Sequence, residues 1–464
     1  MEKSRISKLI GLIQKASFDL GIKPEDSWVE QCALSVFSAM DHPNRVFHQL
    51  EHAFDLASNL RGASLFAALY HDVVYYQVDG HLPRKFEDMV MKTVSYGPSG
   101  GDGYDWQIRD EKRQSRYSKV ALQLFGFSPL MKLKQGFGVN EFLSALCALE
   151  QLSGVLSDKD LLEVVACIEA SIPFRATADN KESCFDRLYK NVFAASRLLG
   201  VSLTKKECEK IVKESVAFAN VDVDNFARVD TGSFLVETWK LYLEMNPALR
   251  QANSFYFASY RSSLVSGLNF FLTLEPEKVF RSYRNFPSEN EITKKTARVN
   301  INLDIAVRYI ETKLLTIGIM EAISDLTGGD APISMLLGES GDKGVKEHIE
   351  DYLENPRFTI DKNKVKSSAV YRLLALGKKE GGFELAPSPL STYLYDCLGE
   401  NEVLELCDVA RSYFAGRMSS FEFLLMIDQK MLASVILACA HICTTRSKKL
   451  MELASKMAHS KKAC

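Results

Sequence analysis

Apolar residues recur every three to four positions through most of this chain, which is the spacing that one face of an α-helix requires. Strict alternation of apolar and polar residues, the period of a half-buried strand, occurs only in short runs. The pattern therefore predicts an all-α fold. The clearest helical segments are Asp160–Ala170, Lys205–Ala219, Asn302–Leu326 and Asn401–Phe414.

Three stretches rich in glycine, proline and charge interrupt the helical pattern. The first is the longest, and a loop of that length inside a domain is usually functional or mobile. The third separates two helical blocks, as a subdomain linker would. The three stretches are residues 96–117, 327–344 and 377–389.

The length of 464 residues is too great for one ordinary hydrophobic core. Asn246-Pro247-Ala248 marks a helix start or a domain junction, because proline is favoured in the first turn of a helix. We therefore predict two domains, residues 1–245 and residues 246–464, both helical.

Composition and charge narrow the class of protein. The formal net charge of −2 gives no electrostatic reason to expect nucleic acid or an anionic membrane as partner, and no DNA groove-binding motif is present. Residues 1–22 read as an amphipathic helix rather than a signal peptide. The longest apolar stretch, Met431–Cys443, is too short to span a bilayer, so we expect no membrane span.

The ten cysteines are scattered, and no two form a CxxC pair. Most lie in apolar helical runs, so we expect buried, reduced thiols in a cytoplasmic protein. Cys439, His441 and Cys443 resemble a metal cluster at first sight. Cys439 and His441 are two residues apart and do not share a helix face, so we interpret this segment as core.

Histidines concentrate near the start of the chain, where five of the eight precede residue 82: His42, His48, His52, His71 and His81. His48 and His52 are four apart and would share one face of a helix. His71 and Asp72 close an apolar helical run. Imidazole and carboxylate together suit divalent first-row metals.

A single histidine on an apolar helix is usually a core residue with a hydrogen-bond partner. That explanation fits any one of these residues, but it does not account for the set. Two helical segments that each present histidine, one of them ending in His-Asp, instead predict a metal site in the N-terminal domain.

The same segments resemble the HD superfamily of metal-dependent phosphohydrolases, in particular a bacterial group with the motifs R-x-Y-H-x-x-x-H, W-F-H-D-A-V-Y and N-E-x-x-S-A. This chain has RVFHQLEH from Arg45 to His52, LYHDVVY from Leu69 to Tyr75, and NEFLSA from Asn140 to Ala145. Two weaker motifs, I-x-x-T and D-x-D-L, resemble IEAS ending at Ser171 and DVDN ending at Asn225.

The resemblance covers about residues 30–235 and implies an HD-type helical bundle that binds a divalent metal: Mn, Fe, Co, Ni, Mg or Zn. His52, His71 and Asp72 would be metal ligands. Either Asp222 or Asp224 would be the fourth. His48 would lie beside the metal, or would replace His52 as ligand if the helix is rotated.

The resemblance also implies roles around the metal. Arg45 would face substrate phosphate, where a planar guanidinium fits bidentate contacts. Glu141 and Glu169 are candidates to orient the attacking water, and the alternative for each is an ordinary acid on a helix surface.

An insertion of about residues 82–138 separates the second motif from the third. It contains Trp106, Arg109 and Arg113, groups that would stack on a base and hold phosphates. The alternative is a solvated loop.

Taken with the resemblance, the sequence predicts a hydrolase of phosphoester or phosphoanhydride bonds in a small, nucleotide-like substrate. Two alternatives are an HD-fold di-iron oxygenase and a non-catalytic HD module that senses a nucleotide. Residues 246–464 contain no motif that we can name, and packing on the HD domain, homodimer formation and ligand sensing all remain open for them.

Overall fold

The computed structural model describes residues 4–98, 104–133, 138–175, 183–246, 255–338, 347–355, 368–380 and 383–459. The predicted all-α class is confirmed, since helices account for most of these residues and strands form only two small sheets. Each of the four segments with the clearest helical period lies almost entirely within one helix. None of the described helices is long and apolar enough to cross a membrane.

The described chain divides into two compact units. Unit 1 comprises residues 1–227 and 275–298, and unit 2 comprises residues 228–274 and 299–464. The boundary at residues 245/246 that we drew from the sequence lies inside unit 2. A second segment, Glu275–Arg298, returns to unit 1 from later in the chain.

In the described ranges, eleven α-helices lie wholly within unit 1. They are α1 (Arg5–Asp19), α2 (Asp26–Met40), α3 (Leu50–Ala57), α4 (Gly62–Tyr70), α5 (Tyr76–Asp79), α6 (Glu87–Thr93), α7 (Arg116–Phe125), α8 (Val139–Leu152), α9 (Asp158–Ala170), α10 (Cys184–Leu198) and α11 (Lys205–Asp222).

Helices α4 and α9 form the centre of unit 1. Every residue of α4 is buried, and α4 packs against α1, α3, α8 and α9. On its other sides α9 contacts α8, α10 and α11. A helix that is apolar all round must be enclosed by other helices, so α4 delivers the residues at its C-terminal end into the interior.

The stretch that we expected to be a loop, residues 96–117, contains regular structure. Strand β1 (Val94–Pro98) pairs antiparallel with β2 (Tyr104–Ile108), and β2 pairs with β3 (Lys132–Leu133). A 3-10 turn at Glu111–Arg113 then precedes α7. Alternation over so few residues is a weak signal, which is why the sequence pattern did not predict this sheet.

The described residues of unit 2 form mainly helices, together with a short two-stranded ladder. The strands β4 (Lys378–Glu380) and β5 (Phe383–Leu385) fall in the third stretch that interrupts the helical pattern. The helices are α12 (Thr231–Met245), α13 (Phe257–Thr273), α14 (Glu289–Gly328), α15 (Ser334–Leu337), α16 (Ala369–Leu376), α17 (Pro389–Leu398), α18 (Glu400–Phe414), α19 (Ser420–Leu425), α20 (Gln429–Ile442) and α21 (Ser447–His459), with α14 beginning in unit 1.

The segment with Cys439, His441 and Cys443 lies at the end of α20. Cys439 and Cys443 are buried, and His441 stacks on Tyr352 with its ring centroid 4.8 Å away. All nine cysteines in the described ranges are free thiols. The two cysteines therefore lie in the core of unit 2, as we expected, whereas His441 is exposed.

Candidate metal centre

His71 and Asp72 follow directly after α4, at the point where the buried helix ends. The His71 N–H still donates to the carbonyl of Ala67 at 2.8 Å, so the backbone leaves the helix only after the imidazole has been directed inward. Both side chains are buried, with 2% and 8% of each residue exposed. Adjacent residues reach the same point because the chain turns here instead of continuing the helix.

His52 approaches from α3, and Asp222 approaches from the last turn of α11. The His52 Nε2 lies 3.2 Å from Asp222 Oδ1 and 3.8 Å from Asp72 Oδ2. The His71 Nε2 lies 2.9 Å from Asp72 Oδ2 and 3.5 Å from Asp222 Oδ1. Two imidazoles and two carboxylates therefore converge, and one ligand atom from each of His52, His71 and Asp72 lies within 4.8 Å of the others.

The ring nitrogens of His71 are in different environments. Nδ1 lies 3.0 Å from the Ala68 carbonyl, which can only accept, so the proton belongs on Nδ1. Nε2 is buried and forms no regular hydrogen bond in the described part of the chain, although Asp72 Oδ2 and Asp222 Oδ1 lie 2.9 and 3.5 Å away. Once it loses its proton, a buried ring nitrogen that faces two carboxylates can coordinate a metal ion together with them.

The charges in the cluster shift one another's pKa. Burial alone would lower the pKa of His71, but Asp72 and Asp222 outweigh it and raise that pKa well above its usual value. Burial would raise the pKa of both carboxyls, yet His71 and its neighbours hold the pKa of Asp72 far below its usual value. Hydrogen bonding to His52 and the charge of His71 lower the pKa of Asp222 to about 2.

The structure distinguishes the two aspartates that the sequence left open. Asp222 faces the histidines, whereas Asp224 lies beyond the end of α11 and forms an ion pair with Lys295 at 2.6 Å. The side chain of Asp224 is 50% exposed. Only Asp222 therefore belongs to the cluster.

His48 lies near the cluster but not on the helix that we expected it to share with His52. Helix α3 begins at Leu50, so His48 precedes it. Its ring is 6.0 Å from that of His52 and 4.2 Å from that of Tyr75. Its charge also contributes to lowering the pKa of Asp72. His48 is thus a neighbour of the cluster, close to Asp72.

Arg45 differs from the expectation that it faces substrate phosphate. The residue is 1% exposed, and its guanidinium donates to both carboxylate oxygens of Asp79, at 2.9 and 2.5 Å. It also donates to the carbonyl of Asp72 at 2.6 Å. Because its donors are occupied in the interior, Arg45 holds the backbone of the His71-Asp72 turn and is not available to a substrate.

The NEFLSA segment at the start of α8 forms hydrogen bonds to the backbone that follows Asp72. The hydroxyl of Ser144 accepts from the Val74 N–H at 3.0 Å, and the amide oxygen of Asn140 accepts from the Tyr76 N–H at 3.2 Å. Both contacts link α8 to the same turn that Arg45 holds. The motif residues therefore position the cluster through the backbone.

Glu141 lies in α8 between Asn140 and Ser144, the two residues that bond to the turn, and it is half-buried. Burial, together with the negative charges of Asp72 and Asp222, raises the pKa of Glu141 to about 7. Its carboxyl group can therefore hold or release a proton near neutral pH. Glu169 is 2% exposed and forms an ion pair with Arg175, so it is not an exposed surface acid.

Two arginines near Glu169 were not among the site residues that we predicted. Arg281 Nη2 donates to the carbonyl of Arg175 at 2.6 Å. The backbone of Arg281 exchanges two hydrogen bonds with the side chain of Asn220, at 2.8 and 2.9 Å. Asn220 is two residues before Asp222, so the segment that returns to unit 1 is attached next to the cluster.

Arg281 forms no ion pair with a carboxylate of the described ranges. Burial and the charge of Arg175 lower its pKa. Repeated arginine in the RSYR segment was the only sequence signal, and it was not specific.

No family model matches this chain, and no curated protein or solved structure proved similar to it. The geometry of the site is therefore the main guide to its chemistry.

The three residues of the insertion that we expected to contact substrate lie elsewhere in unit 1. Trp106 is 1% exposed and packs against Tyr76 and Tyr96, so its ring is not free to stack on a base. Arg109 Nε donates to the carbonyls of Met91 and Val94, at 2.6 and 2.9 Å. Arg113 is exposed and lines a small surface pocket with Arg109. In its described residues the insertion builds a packed sheet, in which Trp106 and Arg109 contact aromatic rings and backbone carbonyls.

Proposed function

We propose that unit 1 is a metal-dependent phosphohydrolase of the HD type, acting on a phosphoester or phosphoanhydride of a small, nucleotide-like substrate. One observation carries the proposal: His52, His71, Asp72 and Asp222 converge from three helices, and the ring nitrogen of His71 that faces the carboxylates has no hydrogen-bond partner in the described ranges. The resemblance of the flanking motifs to HD phosphohydrolases supports it.

The donor set fits a divalent ion. Neutral imidazole and carboxylate are the ligands that Mn, Fe, Co, Ni and Zn share, with Mg favoured by the oxygens. His52, His71, Asp72 and Asp222 would hold the ion. Such an ion lowers the pKa of a bound water and neutralises phosphate charge.

The remaining groups suit a phosphate substrate. Arg281 has donors that no described carboxylate occupies, and Arg175 lies against it. The charge of Arg175 lowers the pKa of Arg281, and a phosphate at Arg281 would offset that repulsion through bidentate hydrogen bonds. Arg281 would bind the phosphate, whereas the guanidinium of Arg175 is paired with Glu169. Glu141, with a pKa of about 7, would hold the proton that the attacking water loses.

Elemental analysis followed by a phosphatase screen over nucleotides with Mn, Co, Ni and Mg tests the proposal. Wild type should contain metal and release phosphate. His71→Ala should lose both, because the cluster loses a buried ligand atom. His81→Ala is the matched control: His81 is exposed, its ring lies against His42, and the variant should keep both properties.

The same measurements separate the two alternative functions. Two iron ions per chain with an oxygen-dependent reaction would replace the hydrolase with a di-iron oxygenase. A metal-loaded protein that binds a nucleotide and leaves it intact after long incubation would indicate a sensing module. A protein that holds no metal would overturn all three.

Arg281→Met tests the phosphate role. We expect KM for the substrate to rise by about tenfold or more, since a charge-assisted bidentate contact is lost. Arg284→Met is the control, because Arg284 lies three residues away and is exposed in an ion pair with Glu209. Equal effects of the two substitutions would contradict the assignment of Arg281.

A further inference from the structure

Unit 2 contains a cavity of about 370 Å³ whose walls are largely apolar. A volume of this order suits a small molecule. The apolar lining includes Trp239, Leu243, Phe255, Ile317 and Leu390. Phe255 and Tyr260 stack in parallel at one side, with ring centroids 5.7 Å apart and planes 3° apart. Flat aromatic walls of this kind favour a planar, apolar ligand.

One lysine enters this apolar cavity. Lys313 projects from α14, and its Nζ donates to the Ser388 hydroxyl at 2.9 Å. The ammonium also lies over the rings of Trp239 and Tyr309, 5.7 and 5.4 Å from their centroids. No aspartate or glutamate of the described ranges forms an ion pair with it.

Lys313 is half-buried, and a half-buried ammonium that faces apolar walls without a carboxylate partner is costly, so it usually has a functional reason. Burial alone would lower the pKa of Lys313, but the neighbouring phenol groups of Tyr260 and Tyr309 raise it, so the lysine stays charged at neutral pH. The carboxylate that lines the cavity, Glu350, is exposed. The cavity therefore offers a positive charge among apolar walls.

Hydroxyl groups lie on the same side as the lysine. Thr316 is one helical turn after Lys313 on α14, and its hydroxyl hydrogen bonds to that of Ser391 at 2.8 Å. Ser388, which accepts from Lys313, lies three residues before Ser391. The Thr316 hydroxyl donates to the Thr312 carbonyl at 2.9 Å, so the proton between Thr316 and Ser391 comes from Ser391. The Ser388 hydroxyl accepts from Lys313 and could donate its own proton to an anionic group beside the lysine.

We propose that this cavity binds a small, planar, apolar molecule that carries one anionic group, with the anion at Lys313 and the ring system against Trp239 and Tyr260. A carboxylate and a phosphate both satisfy this chemistry. The proposal does not depend on the function proposed for unit 1, because its residues all belong to unit 2.

Binding of 1-naphthoate, 1-naphthyl phosphate and uncharged 1-naphthylmethanol to the full chain tests the proposal. Quenching of tryptophan fluorescence reports binding, and Trp239→Phe identifies the signal from the cavity. The protein should be the His71→Ala variant in chelator, so that neither hydrolysis nor metal in unit 1 contributes. We expect saturable binding of at least one anion and binding at least about tenfold weaker for the alcohol.

Substitution of Lys313 tests whether its charge is responsible for the preference for anionic probes. Lys313→Met should weaken binding of the preferred anion by about tenfold or more and leave the alcohol unchanged, whereas Lys313→Arg should stay within about threefold of the parent. Lys430→Met removes an exposed lysine of unit 2 and should have no effect.

The preferred anion identifies the class of ligand, carboxylate or phosphate. Equal affinity for anions and alcohol, no saturable binding of any probe, or undiminished anion binding by Lys313→Met would each overturn the proposal. If Lys313→Met fails to fold, the comparison of anion with alcohol on the parent protein still decides.

Discussion

Each unit contains buried charge, but the two arrangements are opposite. In unit 1, two carboxylates face two imidazoles, and His71 and Asp222 stabilise each other's charged forms. In unit 2, Lys313 lies among hydroxyls and aromatic rings without a described carboxylate partner. A surplus of ligand atoms calls for a cation, and a lone cation calls for an anion. Burial alone therefore does not reveal which kind of ion a charged group binds, because the charges of the neighbouring side chains determine it.

The largest effect should follow removal of Arg45, which holds the backbone beside the histidine and aspartate cluster of unit 1. Arg45→Met leaves Asp79 buried without its guanidinium partner, so we expect a loss of about 3–5 kcal/mol in the free energy of unfolding. Arg308→Met is the matched control: it removes an exposed pair with Asp304 and should cost about 0.5 kcal/mol or less. Chemical denaturation measures both. Similar losses would show that Arg45 is not structurally special.

Metal should stabilise unit 1 and leave unit 2 unchanged. At about 100 times its Kd, an ion bound only by the folded protein adds about 2.7 kcal/mol. Hydrogen exchange should therefore slow in α3, α4 and α11, with no change in α17 or α20. His71→Ala should abolish the protection. Slowing that is equal in both units, or that persists in His71→Ala, would place the metal elsewhere.

Glu163 and Glu214 are two acids of unit 1 that influence each other's charge without a nearby histidine, so they can be compared with Asp72 and Asp222, whose pKa values the histidines lower. Burial and the charge of Glu214 raise the pKa of Glu163 to about 7. Since the pKa in the folded protein exceeds the ordinary value of 4.5, folding favours the protonated form, and stability falls as pH rises from about 4.5 through 7. Glu163→Gln should remove this loss.

The variant should be about 1–2 kcal/mol more stable than wild type at pH 8, and close to it at pH 4.5, once solvent screening is allowed for. Denaturation across this pH range provides the measurement. Metal binding should be unchanged in Glu163→Gln, and a loss of metal would extend the site beyond the histidine cluster.

The smallest effect should come from Lys313. Because no described carboxylate loses its partner, Lys313→Met should change the free energy of unfolding by about 1 kcal/mol or less, and in the stabilising direction. Thermal denaturation of the ligand-free protein checks this. A loss of several kcal/mol would mean that the lysine holds the fold together, and the contrast between the units would disappear.

The sequence by itself determined the helical class and three of the residues that meet at the candidate site of unit 1. A period of 3.6 residues is a local property, so it predicted α9, α11, α14 and α18 without knowledge of their neighbours. His-Asp at the end of an apolar run was equally local, and an apolar run that becomes a fully buried helix must end with its last residues inside. The three ligand candidates nearest each other, His52, His71 and Asp72, followed from that pattern and the family resemblance.

Only the tertiary structure decided which distant groups join them. Asp222 and Asp224 are equivalent candidates in the sequence. Helix α11 ends at Asp222, whose side chain faces the histidines, whereas Asp224 lies after the helix and pairs with Lys295. Arg45 and Trp106 became buried supports because packing occupied their polar atoms or rings, and Arg281 arrived on a segment that returns from later in the chain. Helical periodicity reports which residues face a core, but the identity of the opposing residue is set by contacts far apart in sequence.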